Sequence, residues 1–565
     1  MAAVAKASLP RAAALPGAAG RGRLPHVRAW PASPFDPVAE PGASEIASSL
    51  GARAQPGALP LSAGLLLATF GGATYAAGFP PLGWLPAPWV ALAPLLVACA
   101  ALTPARAALA GLLFAASAAL VIGRFLPEML SAYFGLALHW SWLATLAAIV
   151  LLHGSFVAAF AAWVAWLARR RAAQPLLIAC GWVACEMARS HGALGVPWGM
   201  VAYSQVRLPL LIQTADLAGP YGLGFVIAAA NACFAARVAP RLLARGARVH
   251  SSTYATAALV AAVLAYGAWC TAKPYGDGTP VRVRLVQAGA PERGPELREQ
   301  RLARHVALSS LEPAAYGVAP DLIIWPENAL DGYLQETSAA RRAVLGLTRA
   351  SGVELIVGGP SYERARDGTR YHNSAFLVRG DDVVARYDKH RLVPFAEDGR
   401  GVPGDGSVAA RYTAGEGSSV LDLRGLRAGM LLCFEAMFPE LARAATDAGA
   451  DVLLNLSNDG WFGRPEAARQ QLDIATLRAV ESRRFLVRAA ATGISAVIDP
   501  HGRTLAQTTF GTHDVLDASV RASHARTLYQ RWGDAPAWLM IAIAAVASLR
   551  LAIRRRATHD ERNTR

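Results

Sequence analysis

Long apolar stretches dominate the first half of the chain and recur once near its end. Most of them approach the ~20 residues that a helix needs to cross a bilayer. They are Leu61–Phe79, Trp84–Leu102, Ala107–Gly123, a span within Leu130–Ala168, Ala172–Cys185, Ala218–Ala236, Ser251–Ala272 and Ala535–Ile553. Because Leu130–Ala168 contains no Asp, Glu, Lys or Arg, hydropathy alone leaves one span or two open there.

The basic residues that flank the stretches decide between these alternatives. With one span in Leu130–Ala168, the basic flanks all fall on one side of the membrane, and Lys and Arg favour the cytoplasmic side. With two spans, Arg169–Arg171 would face outward and the agreement is lost. We therefore predict eight membrane helices. The predicted order is a disordered basic cytoplasmic tail (1–57), seven helices (58–275), an outer domain (279–525), the last helix (535–553) and a basic cytoplasmic tail (554–565).

The region over 279–525 has a different pattern, in which short β-prone runs are separated by helical segments. The helical segments include Pro439–Asp447 and Glu466–Arg488. The β-prone runs are Val281–Gln287, Asp321–Trp325, Val353–Gly358, Ser374–Val378, Met430–Cys433 and Asp451–Leu456. Alternating strands and helices predict an α/β domain.

Composition supports a membrane protein and excludes several other classes. The chain is 54% hydrophobic and 17% charged, against about 25% charged residues in soluble domains. Its mean hydropathy is +0.29. This composition excludes a disordered chain and a disulfide-stapled secreted domain. The net charge of +15 lies in the tails and between the spans, whereas 279–525 is nearly neutral, so we expect no nucleic-acid partner.

One cysteine stands apart from the other five, which lie in apolar spans. Cys433 follows a short apolar strand in the polar domain. A nucleophile at the carboxyl end of a strand is well placed for chemistry in an α/β fold, although a buried core cysteine is an equal alternative from position alone.

Three other segments also end an apolar strand with charged or polar residues. DLIIWPENAL presents Glu327, RYDKHRLVPFAE presents Lys389 and Glu397, and DVLLNLSNDGWFG presents Asn458 and Asp459. Each charge alone is typical of a solvated loop. Together they supply what thiol acyl chemistry needs: a base, a cation or N–H donor for the oxyanion, and a proton shuttle. We find no His/Cys set with the spacing of a metal site.

In that order, WPEN, YDKHRLVPFAE and CFE resemble the Glu–Lys–Cys triad of the nitrilase, or carbon–nitrogen hydrolase, superfamily. SNDGWFG, Leu477–Arg503, Val196–Ala232 and TLYQRWGD resemble the apolipoprotein N-acyltransferase family, its integral-membrane branch. The likeness covers nearly everything from about residue 60 to 550. It implies an α-β-β-α nitrilase domain on the periplasmic side of an eight-helix inner-membrane base.

The resemblance also implies an activity and residue roles. The family moves an acyl chain from a phospholipid to the α-amino group of the diacylglyceryl-cysteine that begins a lipoprotein. Mapped here, Cys433 is the nucleophile, Glu327 is the general base and proton donor, and Lys389 stabilises the oxyanion and favours the thiolate. Glu397 and Glu435 are additional acidic residues near the triad. The resemblance implies no metal or organic cofactor, and the SNDGWFG segment adds Asn458, Asp459 and Trp461 as candidates.

The sequence departs from the family pattern in three segments. A usual Lys-Trp pair is missing near 288–298, DGR at 398–400 replaces Tyr-Val-Pro, and RPEAARQQ at 464–471 replaces a segment that commonly contains His. The triad is untouched, so these departures bear on donor or acceptor selectivity and not on acyl-enzyme chemistry. Two alternatives stay open: a membrane-tethered amidase or ester hydrolase with the same triad, and a transporter or scaffold with an inert domain.

Overall fold

The computed structural model describes residues 59–192, 194–244, 249–289, 295–312, 319–366, 368–399 and 412–563. The predicted N-terminal tail lies outside these residues. Within the described residues, nine α-helices precede the first strand. They are α1 (Leu61–Ala77), α2 (Pro88–Ala101), α3 (Pro104–Ile122), α4 (Leu126–Phe134), α5 (Leu138–Arg169), α6 (Pro175–Ser190), α7 (Pro209–Ile212), α8 (Ala215–Val238) and α9 (Val249–Thr271).

The Leu130–Ala168 region contains one long helix, as the charge pattern predicts. Helix α5 runs without a break from Leu138 to Arg169 and includes a π-helical turn at Ile149–Gly154. The short α4 precedes it, and Gly135 closes α4 in the left-handed conformation that glycine adopts readily. The region therefore holds a single membrane-length helix.

The polar region forms two six-stranded sheets that pack face to face. In chain order its elements are β1 (Asp277–Gln287), α10 (Pro295–Ser309), β2 (Leu322–Ile324), α11 (Ala339–Ser351), β3 (Glu354–Ala365), β4 (Gly368–Arg379), β5 (Asp382–Asp388), β6 (Val420–Leu423), β7 (Leu426–Leu432), α12 (Pro439–Asp447), β8 (Val452–Ser457), α13 (Pro465–Ser482), β9 (Phe485–Ala490), β10 (Ala496–Ile498), β11 (Thr504–Gln507), β12 (Asp514–Ala522) and α14 (Leu528–Trp532). The strand orders are β12-β1-β2-β3-β4-β5 and β11-β10-β9-β8-β7-β6.

Apolar clusters fill each layer boundary of this domain. One cluster joins the inner faces of the two sheets, with Leu285 and Ile356 opposite Leu454 and Val487. A second packs α10 and α11 on the first sheet, and a third packs α12 and α13 on the second. The result is the expected four-layer α-β-β-α sandwich.

Helix α13 connects the sandwich to the helical base. Leu472 and Ala475 belong to the core of the second sheet, whereas Ile474 and Leu477 belong to the core of the membrane helices. All residues from Ala467 to Ser482 except Arg469 are buried, so this helix has no solvent face. Polar side chains on it must therefore find partners inside the protein.

The last helix, α15 (Ala535–Asn563), follows the sandwich and continues past its predicted end at Ile553. Five helices of the described chain are long and apolar enough to cross a bilayer: Pro104–Ile122, Leu138–Arg169, Ala215–Val238, His250–Thr271 and Ala535–Arg554. The apolar helices α1 and α2 are shorter, and α6 carries Glu186 and Arg189 near its end. Adding α1, α2 and α6 to these five gives eight helices, which agrees with the predicted number.

The predicted helix over Glu466–Arg488 is partly wrong. Helix α13 ends at Ser482, Arg483 takes a left-handed conformation with φ +51°, and Phe485–Ala490 forms β9 between β8 and β10. The sequence FLVRAA is rich in β-prone residues, and its pairing with two neighbouring strands outweighs the helical pattern that precedes it.

Candidate active site

Three strand ends bring the predicted triad to one cavity. Glu327 lies just beyond β2, Lys389 follows β5 directly, and Cys433 follows β7 directly. All three side chains line the same cavity, and each residue is at most 7% exposed. The structure therefore brings Glu327, Lys389 and Cys433 together in one cavity, each at the end of a strand.

The ammonium group of Lys389 lies between two carboxylates. Its Nζ donates to Oε1 of Glu327 at 3.1 Å and to Oε1 of Glu397 at 2.9 Å. Burial disfavours the charged amine, but the carboxylates of Glu327 and Glu397 more than offset this, so the Lys389 pKa lies well above its usual value. Lys389 is therefore a permanent cation beside the sulfur.

Asn373 on β4 links the same two carboxylates from the opposite side. Its side-chain Nδ2 donates to Oε1 of Glu327 at 2.8 Å and to Oε1 of Glu397 at 2.9 Å. The remaining oxygens accept from backbone N–H groups, Oε2 of Glu327 from Asn458 and Oε2 of Glu397 from Val393. Both carboxylates are thus held at both oxygens.

A close backbone approach brings Glu327 to the sheet. A Cβ on Gly358 of β3 would lie 2.4 Å from the carbonyl oxygen of Pro326 and 2.7 Å from Cα of Glu327. Those contacts are with backbone, which cannot rotate away. Glycine is therefore required at 358 for the segment that carries Glu327 to pack where it does.

Cys433 sits on a tight turn in an unusual backbone conformation. Its φ is +48°, a left-handed value that a non-glycine residue adopts rarely and that is typical of functional turns. A short 3₁₀ turn, Cys433–Met437, follows directly. The turn projects the sulfur into the cavity, and Nε2 of Gln471 lies 3.8 Å from it.

The charge of Lys389 favours the Cys433 thiolate, in the direction that the family resemblance implies, but other effects are larger. Burial and the negative charge of Glu327 raise the pKa of the Cys433 thiol to about 12. Cys433 is therefore a thiol at rest, and the Glu327 carboxylate lies in the same cavity.

Glu435 fixes the nucleophile turn rather than facing the cavity. Its carboxylate accepts from the backbone N–H groups of Leu432, His390 and Arg391 at 2.7–3.0 Å, and from the Tyr387 hydroxyl at 2.9 Å. It is fully buried, and burial raises its pKa. Glu435 therefore joins the end of β5 to the turn that carries Cys433.

The three candidates of the SNDGWFG segment have different positions. The backbone of Asn458 contacts Glu327, while its side chain accepts from Gly460 within the turn. Asp459 points away from the cavity into a buried ion pair with Arg488 at 2.6 Å. Trp461 lines the cavity. The backbone of Asn458 and the ring of Trp461 therefore contribute to the site directly. Asp459 instead contacts Arg488 outside the cavity.

The cavity extends from the triad into the helical base and has a volume of about 580 Å³. Its walls are mostly apolar and come from α1, α3, α4, α5, α6 and the loops of the sandwich. They include Tyr75, Phe114, Ile122, Met129, Leu130, Phe134, Leu152, Trp198, Phe434, Trp461 and Phe462. A chamber with one polar end and a long apolar remainder suits an amphipathic substrate.

Sequence reasoning missed three residues of this arrangement: Asn373, Gln471 and Arg488. Arg488 lies within the otherwise apolar strand β9, and a polar residue in such a strand is the signal that could have pointed to it. Asn373 lies in the polar half of β4 between His372 and Ser374, and Gln471 lies on a helix with no solvent face. No such signal marks these two residues. Among the described residues, no group of three His, Cys, Asp or Glu side chains could hold a metal ion.

A buried Glu, Lys and Cys at the strand ends of an α-β-β-α sandwich, joined to a bundle of membrane helices, define a membrane-embedded carbon–nitrogen hydrolase. The carbon-nitrogen hydrolase family matches residues 282–530, and the apolipoprotein N-acyltransferase N-terminal domain matches residues 71–233. The chain belongs to the apolipoprotein N-acyltransferase family.

Known relatives span most of the chain. The apolipoprotein N-acyltransferase of Geobacter metallireducens is 34% identical over 512 residues, which is 88% of this chain and 96% of that protein. The one from Caulobacter vibrioides is 32% identical over 404 residues, 67% of this chain and 73% of that protein. This protein is therefore a multi-pass bacterial membrane protein.

Two similar solved structures each cover less than half of this chain. A nitrilase-superfamily member from Saccharomyces cerevisiae is 18% identical with a TM-score of 0.35, covering 44% of this chain and 93% of that one. An amidase from Nesterenkonia sp. is 22% identical with a TM-score of 0.33, covering 45% of this chain and 95% of that one.

Proposed function

We propose that this protein transfers an acyl chain from a phospholipid to the N-terminal amine of a diacylglyceryl-cysteine on an apolipoprotein, through a thioester on Cys433. The observation that carries the proposal is the continuous cavity, which has Cys433 at one end and membrane helices around the remainder. Both substrates have acyl chains in the bilayer, so an apolar chamber that reaches the nucleophile serves both.

The first half of the reaction forms the acyl-enzyme. As the Cys433 sulfur attacks the ester carbonyl carbon, its proton passes to Glu327, and the carbonyl oxygen becomes an oxyanion beside the Lys389 ammonium. Collapse of this intermediate breaks the carbon–oxygen bond of the ester. The proton on Glu327 goes to the departing lysophospholipid oxygen, and the acyl chain stays on sulfur as a thioester.

The second half consumes the thioester. The α-amino group of the lipoprotein cysteine attacks the thioester carbonyl, Glu327 accepts a proton from that amine, and Lys389 again faces the oxyanion. The sulfur leaves, takes back its proton and returns to the resting thiol. Because both substrates enter through one mouth, sequential use of the cavity avoids holding two lipids at once.

The proposed location follows from charge and substrate. Basic flanks fall on one side of the eight helices, and because Lys and Arg favour the cytoplasmic side, this pattern supports a sandwich on the outer face of the inner membrane. Exported lipoproteins expose their N-terminal cysteine on that face. We therefore propose that the catalytic domain faces the periplasm, with both ends of the described helical base in the cytoplasm.

Complementation tests the function. A strain depleted of its own apolipoprotein N-acyltransferase should grow when it produces this protein, and mass spectrometry should find lipoproteins with an amide-linked third chain. The Cys433→Ala variant is the control and should not restore either. Continuous release of free fatty acid from phospholipid, without transfer to a diacylglyceryl-cysteine peptide, would instead identify the membrane-tethered hydrolase.

A further inference from the structure

A side-chain amide approaches the reacting sulfur from the membrane-facing helix. Nε2 of Gln471, on α13, lies 3.8 Å from Sγ of Cys433, within range of an N–H···S hydrogen bond. Gln471 is 1% exposed and also lines the substrate cavity. The backbone does not fix which end of the Gln471 amide faces the sulfur, because a glutamine amide can rotate about its last bond. Another contact must therefore fix it.

Arg488 fixes which end of the amide faces the sulfur. Its guanidinium donates to Oε1 of Gln471 at 2.8 Å, so the Gln471 NH₂ group must point the other way, toward Cys433. Arg488 is itself fully buried, bonded to Asp459 at 2.6 Å and to the side chains of Asn455 and Ser457. A Cβ at Gly493 would lie 1.7 Å from Oδ2 of Asp459. Asp459, which bonds to Arg488, is therefore itself tightly packed.

We propose that Gln471 is a further residue of the acyl-transfer site, which donates an N–H hydrogen bond to the Cys433 sulfur, and that Arg488 is the positioning residue that holds it. This inference rests on the proposed function. With one lone pair of sulfur occupied by the Gln471 N–H, the S–H bond is left to point toward Glu327. When the thiol proton passes to Glu327, the Gln471 proton stays on nitrogen and stabilises the sulfur anion.

The charges around Cys433 show why such a donor matters. Burial, Glu327 and Asp459 act against ionisation of the thiol, whereas Lys389 and a hydrogen bond with the Ser457 side chain act for it. A fixed N–H donor from Gln471 adds a further favourable contact without adding charge to a buried site.

The reaction of Cys433 with iodoacetamide as a function of pH tests this directly, because it needs no lipid substrate. Peptide mass spectrometry separates Cys433 from the five other cysteines of the full-length protein in detergent. We expect Gln471→Leu and Gln471→Glu to move the alkylation profile upward by about one pH unit, which slows alkylation about tenfold well below the midpoint. Gln471→His, which keeps a ring N–H donor, should restore most of the wild-type profile.

Gln471→Glu keeps the size of the side chain and the oxygen that meets Arg488, so it decides the question even if Gln471→Leu does not fold. Thr476→Val is the matched control. Its hydroxyl bonds only to the Leu472 carbonyl within the same helix, and its alkylation profile should equal that of the wild type. A Gln471→Glu profile that superimposes on that of the wild type would overturn the inference. If the variants show these shifts but the wild-type protein transfers no acyl chain, the proposed function alone is overturned.

Discussion

The Lys389 ammonium lies closer to Glu397, at 2.9 Å, than to Glu327, at 3.1 Å. Two carboxylates therefore share one ammonium group, and Glu327 is held in place by a cation that it shares with Glu397. The lysine side chain is consequently the central contact of the site.

We expect Lys389→Ala to lower acyl transfer at least about 10²-fold, the scale of losing one oxyanion donor, and to leave Glu327 and Glu397 facing each other without a cation. Lys389→Arg should also fail substantially, because a planar guanidinium does not fit between two carboxylates placed for a compact ammonium. Transfer to a diacylglyceryl-cysteine peptide measures both. Arg386→Ala, a nearby partly exposed residue that pairs with Asp388, should retain activity. Near-normal turnover by both lysine variants would remove Lys389 from the mechanism.

Asn373 gives a second test of how the carboxylates are held. Asn373→Leu keeps the approximate volume but removes both N–H donors to Glu327 and Glu397. Hydrogen bonds to charged groups contribute about 1.5–3 kcal/mol, so we expect the rate of acyl transfer to fall about 10- to 100-fold. Activity should be read together with the thermal midpoint. An unchanged rate in a stably folded variant would mean that Lys389 alone positions the two carboxylates.

The two-step mechanism predicts an isolable intermediate. Phospholipid supplied without acceptor should leave a stable, hydroxylamine-sensitive acyl group on Cys433, because the mostly apolar walls of the cavity disfavour water beside the thioester. Adding a diacylglyceryl-cysteine peptide should discharge it, and Cys433→Ala should form neither adduct nor product. Intact-protein mass spectrometry measures each state. Active enzyme without any adduct after rapid quenching, together with kinetics that require both substrates at once, would contradict this route.

Cysteine labelling measures the orientation of the catalytic domain relative to the membrane. Ser418 is exposed on the sandwich, and the six native cysteines are buried. Ser418→Cys should react with an impermeant maleimide in cells whose outer membrane has been permeabilised, and Ala557→Cys, beyond the basic group Arg554–Arg556, should react only after lysis. The protein without an added cysteine is the blank. The reverse pattern would invert the proposed topology.

His305 predicts how stability depends on pH. It is buried against Trp325 on the first sheet, and burial, with smaller effects from Arg301 and Arg304, lowers its pKa to about 4 from 6.5. Between these values the unfolded chain binds a proton that the folded chain does not. The contribution to stability is therefore present above about pH 6.5 and is lost as the pH falls through 4, at up to about 1.4 kcal/mol per pH unit.

The matched comparison is His305→Phe, which should flatten the fall of the thermal midpoint between pH 6.5 and 4 relative to wild type. His139→Phe, at an exposed position on α5, should keep the wild-type slope. Identical slopes for His305→Phe and wild type would show that His305 does not contribute to the acid sensitivity of the fold.

Local sequence patterns predicted much of the molecule. Hydropathy and the basic flanks predicted eight apolar helices, and alternating runs predicted an α/β domain with Glu327, Lys389 and Cys433 at strand ends. The family resemblance added the layered sandwich. The end of α13 was misplaced because the signal for β9 is its pairing with β8 and β10, which are distant in sequence. Helical periodicity carries no information about such partners.

The same limit applies to the supporting residues. Asn373 meets Glu327 across 46 positions, and Arg488 meets Gln471 across 17. Their roles depend on which strands and helices become neighbours in the fold. From the sequence alone, a polar residue in a strand is equally compatible with a position that packs poorly. The charge on Lys389 was visible in the sequence, whereas the burial that raises the pKa of Cys433 despite that charge is shown only by the folded structure.

Helix α13 has a consequence for how the protein can be divided and made. One face completes the core of the sandwich and the other completes the core of the membrane helices, so neither core is finished without it. A fragment from Tyr275 to Asp534, which leaves out the membrane-length helices, would keep an uncovered apolar face on α13 and should aggregate. The walls of the cavity around Cys433 also come from α1, α3, α4, α5 and α6, so this cavity is complete only once those helices have packed. Assembly of the site is therefore coupled to assembly of the membrane helices.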